Sequence, residues 1–130
     1  MKRLITCIVL LTFSNTAMAE WIRIHSGNEF DTYIDTTSIR KNGNRVKMWT
    51  LTDYKKKQNT GSGYYFSKKA QYEFDCQDET QRVASVADYS GKMGQGKLVS
   101  SFTPNPYEYT HEPVIPDTLG EVFWKLLCLN

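Results

Sequence analysis

The sequence predicts one α+β domain, a six-stranded twisted antiparallel sheet with one C-terminal helix packed on it. Three observations support this prediction. Six segments alternate apolar and polar residues with the period of a strand, and residues typical of turns separate them. Apolar residues with helical spacing follow only at the end of the chain. A run of strands followed by a single helix is typical of α+β folds.

The first residues of the chain are typical of an export signal. A basic start, Lys2–Arg3, precedes the mostly apolar run Leu4–Phe13, and Ala17–Ala19 is a small-x-small cleavage site. The apolar run is too short to span a bilayer as a helix. We therefore expect residues 1–19 to be removed and residues 20–130 to form the mature domain, exported to the periplasm, the cell surface or the medium.

Three strands are predicted in the first half of the mature chain. They span residues 21–25, 30–35 and 45–53. The Asn42–Gly43 step before the third strand is the strongest short hairpin signal in the sequence. Val46 and Met48 lie on one face of the third strand. Trp49 and Leu51 lie on the other, so this strand is predicted to be central or covered on both faces.

The fourth strand, Tyr64–Cys76, organises the predicted sheet. One face collects most of its apolar residues, interrupted by Lys68: Tyr64, Phe66, Ala70, Tyr72, Phe74 and Cys76. The other face is mostly polar: Tyr65, Ser67, Lys69, Gln71, Glu73 and Asp75. This is the period of a strand with one face buried and one in solvent. We expect Cys76 to point into the core.

The remaining strands and the connections follow from turn-forming residues. The fifth and sixth strands are predicted over Gln81–Tyr89 and Lys97–Phe102, joined by a glycine-rich turn. Four segments are predicted to be turns or loops without a strand of their own: Thr36–Ser38, Lys55–Gly63, Gly91–Gly96 and Thr103–Asp117, the last with all four prolines.

The chain is predicted to end in a helix that begins at a capping box. Thr118 and Glu121 have the capping-box spacing. One apolar stripe is predicted: Leu119, Val122, Phe123 and Leu126. Trp124 and Cys128 point roughly opposite this stripe, so the helix should be covered on more than one side. Packing within the chain and a homodimer interface both explain such a helix.

Two cysteines remain after removal of the signal, because Cys7 lies inside it. In an exported protein, Cys76 and Cys128 are predicted to form one disulfide. The chain-entropy model assigns about 4 kcal/mol to a loop of this length. A redox-active pair is the alternative, but the CxxC spacing is absent.

The charge of the mature chain gives no support for a nucleic-acid partner. The sequence holds sixteen basic and fourteen acidic residues, and the signal contains two of the basic ones and none of the acidic ones. The mature chain is therefore formally neutral. No basic excess is present to neutralise phosphates.

In order and spacing, several short segments resemble those of the surface-adhesin protein E family. The matching segments are Trp21–Ile22, Tyr33–Asp35, Ser38–Ile39, Met48–Leu51, Asp53–Tyr54, Glu73–Cys76, Met93–Gly96, Pro113–Pro116 and Cys128. The resemblance implies a six-stranded antiparallel sheet with a C-terminal helix tied by a Cys76–Cys128 disulfide. It also implies a dimer and an adhesin that binds host extracellular-matrix and plasma proteins. No lipid-attachment cysteine is evident, so a periplasmic or released protein is as well supported as a surface one.

The candidate binding site combines a lysine run with two tyrosines. Lys55, Lys56 and Lys57 are predicted to contact an acidic partner, with Tyr64 and Tyr65 as aromatic anchors. Further basic residues on the flanking strands would join them if they converge on one face: Arg45, Lys47, Lys68 and Lys69. The alternative is a solvated loop whose lysines keep strand edges apart. Tyr107, Tyr109 and His111 form a second candidate surface on the proline-rich segment, or they cap the core.

No catalytic, metal or cofactor motif is apparent. His25 and His111 lack metal-ligand spacing, and Gly91–Gly96 lacks the Gly-Lys-Ser/Thr ending of a phosphate loop. Glu73 and Asp75 share a strand face without a marked cleft. The sequence therefore predicts an exported, non-enzymatic module that binds another protein. The alternative is a periplasmic accessory protein that binds a small ligand or an envelope partner.

Overall fold

The computed structural model describes residues 19–108 and 110–129 and shows one antiparallel sheet with a C-terminal helix. The elements are β1 Trp21–Ser26, β2 Phe30–Asn42, β3 Arg45–Thr60, β4 Gly63–Asp75, β5 Thr80–Tyr89, a 3₁₀ turn Lys92–Gly94, β6 Leu98–Phe102, β7 Glu112–Pro113 and α1 Leu119–Cys128. Strands β1 to β6 follow one another in chain order, and β7 pairs with the edge of β5. The predicted fold class is confirmed, whereas the predicted signal lies almost wholly outside the described residues.

The core lies between α1 and one end of the sheet. Its buried apolar side chains are Ile34, Val46, Met48, Phe74, Phe123 and Leu127. The rings of Phe74 and Phe123 meet edge to face with centroids 6.3 Å apart. Burying a side chain of this size contributes about 1.5–3 kcal/mol, so this contact is a principal attachment of the helix.

The predicted disulfide is confirmed and joins α1 to the end of β4. Cys76 and Cys128 are bonded, with Cα atoms 5.3 Å apart. Next to the bond, the indole N–H of Trp124 donates to the carbonyl oxygen of Asp75 at 3.0 Å. Two independent attachments therefore hold the last turns of the helix against the same strand end.

These attachments rotate the helix away from the predicted orientation. Thr118 is the N-cap, as predicted, and its hydroxyl accepts from the Glu121 N–H. The predicted buried stripe is wrong in part, because Val122 is 43% and Leu126 39% exposed. Leu127 is buried instead, since the side of the helix that bears Cys128 is tied to the sheet.

The second face of β4 is also covered, contrary to the expectation of a solvent-exposed polar face. Ser67 is completely buried and Glu73 is 5% exposed. The segment around the 3₁₀ turn folds over Ser67, whose hydroxyl donates to the Gly91 carbonyl and accepts from the Gly94 N–H. Leu51 of β3 is buried on this face too, which confirms that β3 is covered on both sides.

Three predicted loops contain strand. β2 passes through Thr36–Ser38 with an irregularity in its pairing between Asp35 and Arg40. Ser38 explains this kink, because its hydroxyl donates to the Asp35 carbonyl and accepts from the Trp49 N–H. β3 continues through Lys55–Thr60 to a two-residue turn, and β7 forms inside the proline-rich segment.

Candidate functional site

Three of the five predicted contact residues, Lys55, Lys56 and Lys57, lie at an irregularity in the pairing of β3 with β4, and Tyr64 and Tyr65 lie on the hairpin just beyond it. The regular pairing ends at Asp53 and resumes at Gln58. Beyond this point Gln58 pairs with Tyr65 and Asn59 with Tyr64. We call residues 55–65 the distal hairpin. The lysine run therefore belongs to strand β3, at the stretch where the described pairing with β4 is interrupted, and the predicted loop is wrong.

Lys57 and Tyr64 form an exposed pair on the distal hairpin. The Lys57 ammonium nitrogen lies 4.9 Å from the centroid of the Tyr64 ring. Tyr64 is 60% exposed. A cation–π contact at such an exposed site contributes about 0.5–1 kcal/mol, enough to favour one arrangement of two long side chains. The pair presents a positive charge and an aromatic ring together to solvent.

Lys55 is engaged within the protein. Its ammonium lies 2.9 Å from Asp31 Oδ2, and the Ser26 hydroxyl donates to Asp31 Oδ1 at 2.9 Å. The hydrogen bond from Lys55, followed by that from Ser26, lowers the pKa of Asp31 although burial opposes this. Within the described residues, Lys56 and Lys57 have no acidic partner. The positive charge available to a partner therefore lies at Lys56 and Lys57.

Tyr65 anchors the hairpin to the sheet. Its ring meets Tyr54 edge to face with centroids 5.7 Å apart, and the Lys68 ammonium lies 5.5 Å from its centroid. Burial, and after it the neighbouring Tyr65, raises the pKa of Tyr54 to about 12. Tyr65 is half-buried. Its main contacts are with its own chain, whereas Tyr64 faces outward.

An open depression of about 470 Å³ lies beside the hairpin. Phe30 and Tyr54 line it together with Lys55 and Lys56. Phe30 and Tyr54 are register partners on β2 and β3, with ring centroids 6.0 Å apart. These two aromatic residues are not among the predicted contact residues, because their proximity depends on the strand register. The aromatic character of both positions was the only available signal.

The flanking basic residues do not converge with the lysine run. Arg45 and Lys47 lie at the other end of β3, where both contact the Glu73 carboxylate. Lys68 contacts Asp88. The combined basic surface considered from the sequence is therefore not formed. The positive charge of Arg45, Lys47 and Lys68 is directed to carboxylates, whereas the Lys69 ammonium lies 4.9 Å from the centroid of the Tyr89 ring.

Glu73 is the centre of this separate charged cluster. Arg82 Nε donates to its Oε1 at 2.9 Å, and Nε2 of His111 lies 3.1 Å from the same oxygen. Burial raises the pKa of Glu73, but the hydrogen bond and charge of Arg82, then the charges of Lys47 and His111, lower it more. The net pKa is lowered. His111 Nε2 makes no hydrogen bond among the described residues, so it pairs with Glu73 only when the imidazole is protonated. Tyr107 is exposed, and Tyr109 lies outside the described residues.

The described part of the chain offers no metal site of ordinary composition. No group of three or more histidine, cysteine or acidic side chains among residues 19–108 and 110–129 is arranged to hold an ion. None of the helices in these ranges has the length and hydrophobicity needed to cross a bilayer.

Comparisons with known proteins identify the family. The family model of surface-adhesin protein E matches residues 21–129. The chain is similar to protein E of Haemophilus influenzae, with TM-score 0.62 and 19% identity over 85% of this chain and 84% of that chain. The selenomethionine form gives TM-score 0.63 and 18% identity over 85% and 86%. Protein E from non-typeable Haemophilus influenzae gives 0.61 and 18% over 83% and 76%.

No curated protein sequence matches the chain significantly. At identities below one fifth, the structural likeness shows the fold alone. The family model, by contrast, spans nearly the whole described chain. The chain belongs to the surface-adhesin protein E family.

Proposed function

We propose that this adhesin-like protein is an exported, non-enzymatic module that binds another protein through its distal hairpin. The observation that carries the proposal is the exposed Lys57–Tyr64 pair beside Lys56. The partner class that fits is an acidic surface of a host extracellular-matrix or plasma protein. Family membership supports adhesion, and the hairpin supplies the chemistry for it.

The structure of the hairpin suits recognition. Tyrosine is enriched among residues that dominate binding energy, since its ring buries a large area and its hydroxyl can hydrogen-bond. Strand pairing already fixes the backbone on both sides of Tyr64, so less conformational entropy is lost on binding there than for a flexible loop. Lysines at the rim of an interface chiefly affect the association rate and its dependence on salt.

The test is a binding screen of the oxidised protein against purified matrix and plasma glycoproteins. We expect saturable binding that weakens as salt is raised to about 0.5 M, because screening shortens the range of exposed charges. The affinity of a purely apolar interface would not fall in this way as salt is raised. If no matrix or plasma protein binds, the host-adhesion proposal is wrong.

The alternative partner is a component of the cell envelope. If the protein is exported but not displayed on the surface, the same hairpin would face an envelope protein. Crosslinking at Tyr64 in intact cells identifies the bound partner and so distinguishes a periplasmic protein from a surface protein. The homodimer predicted from the helix stays a prediction. Sedimentation of the oxidised protein over a range of concentrations tests it, with a monomer at every concentration counting against it.

A further inference from the structure

A small chamber lies under the first turn of α1, and no residue of the distal hairpin lines it. It has a volume of about 130 Å³ and is lined by three threonines of β2 and β3, together with side chains of β4, β5 and the helix. The threonines are Thr32, Thr50 and Thr52. We call this space the threonine chamber. None of its lining residues is charged.

Two polar atoms that border the chamber are buried without a partner. They are Oγ1 of Thr32, a residue 2% exposed, and Oε1 of Gln81, and neither has a hydrogen-bond partner among the described residues. Thr50 differs, since its hydroxyl donates to the Ala70 carbonyl at 3.1 Å. Buried polar atoms in folded proteins are nearly always hydrogen-bonded, and leaving one unpaired costs free energy. The chamber therefore has hydrogen-bonding capacity that the protein itself does not use.

An apolar cleft of about 320 Å³ adjoins the chamber. Tyr72 and Gln81 line both spaces. The apolar lining of the cleft comes from Val83, Val86, Phe102 and Pro104, and Arg82, Thr110 and Glu112 also line it. Strand β7 pairs with residues 80 and 81 of β5, and β6 pairs with β5 from residue 86 onward. The cleft lies between these two pairings, where β5 has neither β6 nor β7 beside it. The polar chamber and the apolar cleft thus meet at Tyr72 and Gln81, which line both.

The polar atoms of the chamber and the apolar side chains of the cleft together define which kind of ligand fits. A hydroxyl or amide group can pair with both Thr32 and Gln81, and an attached short hydrocarbon can occupy the cleft beside Val83 and Val86. A charged group would lose its hydration in the chamber without meeting an opposite charge. We propose that the protein binds a small uncharged amphiphile, with its hydrogen-bonding head in the threonine chamber and its apolar tail in the cleft. This goes beyond the proposed function, since no residue of the distal hairpin takes part.

Gly120 makes a sharp test possible. A Cβ atom at Gly120 would collide with the side-chain amide of Gln81, so Gly120→Ala must move that amide from its place beside the chamber. The residue lies in α1, where alanine is favoured over glycine. Gly61→Ala is a matched control, since a Cβ there would meet nothing within 4 Å.

The experiment titrates hexanamide into isotope-labelled, oxidised protein and follows amide chemical shifts. We expect saturable shifts at Thr32, Gln81 and Val83, with hexanoate and hexylammonium binding at least about tenfold more weakly. Gly120→Ala should weaken hexanamide binding by about tenfold or more, and Gly61→Ala should leave it unchanged.

A second variant separates binding from stability. Thr32→Val removes an unpartnered hydroxyl, so it should weaken hexanamide binding without lowering the melting temperature. The proposal is overturned if hexanamide produces no shifts in the chamber up to its solubility limit, which would mean that the space holds water only. Equal affinity in wild type and Gly120→Ala would overturn it as well. Neither result depends on whether the distal hairpin binds a protein.

Discussion

Strands β3 and β4 have two ends that differ in what surrounds them. At one end Val46, Met48 and Phe74 are buried beneath α1, and the disulfide joins the helix to the strand. At the other end the strands extend past an irregularity in their pairing and expose Lys57 and Tyr64. The stabilising contacts are concentrated at the covered end, so the exposed end can carry a binding surface without supporting the core.

The largest effect is expected for Phe74→Ala at the covered end. Phe74 is fully buried against Phe123, and truncation leaves a cavity. We expect a loss of about 3–5 kcal/mol in the free energy of unfolding, measured by urea denaturation. Tyr107→Ala truncates an exposed aromatic residue and serves as the control. If Phe74→Ala lowers the free energy of unfolding no more than Tyr107→Ala, the covered end does not hold the fold.

Removal of the disulfide should have the next largest effect. Replacing Cys76 and Cys128 together with alanine releases a long loop in the unfolded chain and one attachment of α1. We expect a loss of about 2–4 kcal/mol, measured in the same denaturation experiment. Two reactive thiols in the native, exported protein would contradict the account directly.

Glu73→Gln should have a smaller effect that depends on pH. The substitution leaves Arg82 and His111 without their carboxylate, which we expect to cost about 1–3 kcal/mol near neutral pH. The folded-state pKa of Glu73 is lowered, so its stabilisation is complete above the ordinary glutamate pKa of about 4.3 and disappears as pH falls through the folded value.

The difference between wild type and Glu73→Gln should therefore narrow below about pH 4. Thermal unfolding of both proteins from neutral to acid pH measures this difference. Asp31 and Asp75, whose pKa values are also lowered, remain in the variant and keep part of the acid sensitivity. A constant difference at all pH values would show that the charge of Glu73 does not contribute.

The elements that sequence predicted well are those set by local pattern. The strand β4, the hairpin turn that follows Asn42 and the Thr118 cap depend on neighbouring residues, and the structure contains all three. Only two cysteines, Cys76 and Cys128, lie outside the predicted signal, so the disulfide could be predicted without knowledge of the fold. The five predicted contact residues are also close together in the sequence, so their location on one segment needed no fold. Their role in binding stays a prediction.

The features that sequence missed depend on contacts between distant segments. Ser67 is buried because residues 91–94 fold over it, and the helix is rotated by its attachment to Cys76. The Lys55–Asp31 ion pair requires the register of β2 and β3. The run of three lysines therefore does not show that Lys55 is paired within the protein and that only Lys56 and Lys57 remain available to a partner.

The distal hairpin is the place where substitution should leave stability unchanged and abolish binding. We expect Lys56→Glu with Lys57→Glu to keep the free energy of unfolding within about 1 kcal/mol of wild type, because both side chains are exposed and only the Lys57–Tyr64 contact is lost. The matched control is Lys41→Glu with Lys97→Glu, which changes the net charge equally at exposed sites elsewhere.

The most direct test measures the affinity of both double variants for the partner found in the glycoprotein screen, alongside their melting temperatures. The account predicts at least about a tenfold loss of affinity for the Lys56 and Lys57 variant, with the control and both melting temperatures near wild type. Equal affinity of the two variants would contradict the claim that the distal hairpin is the binding surface.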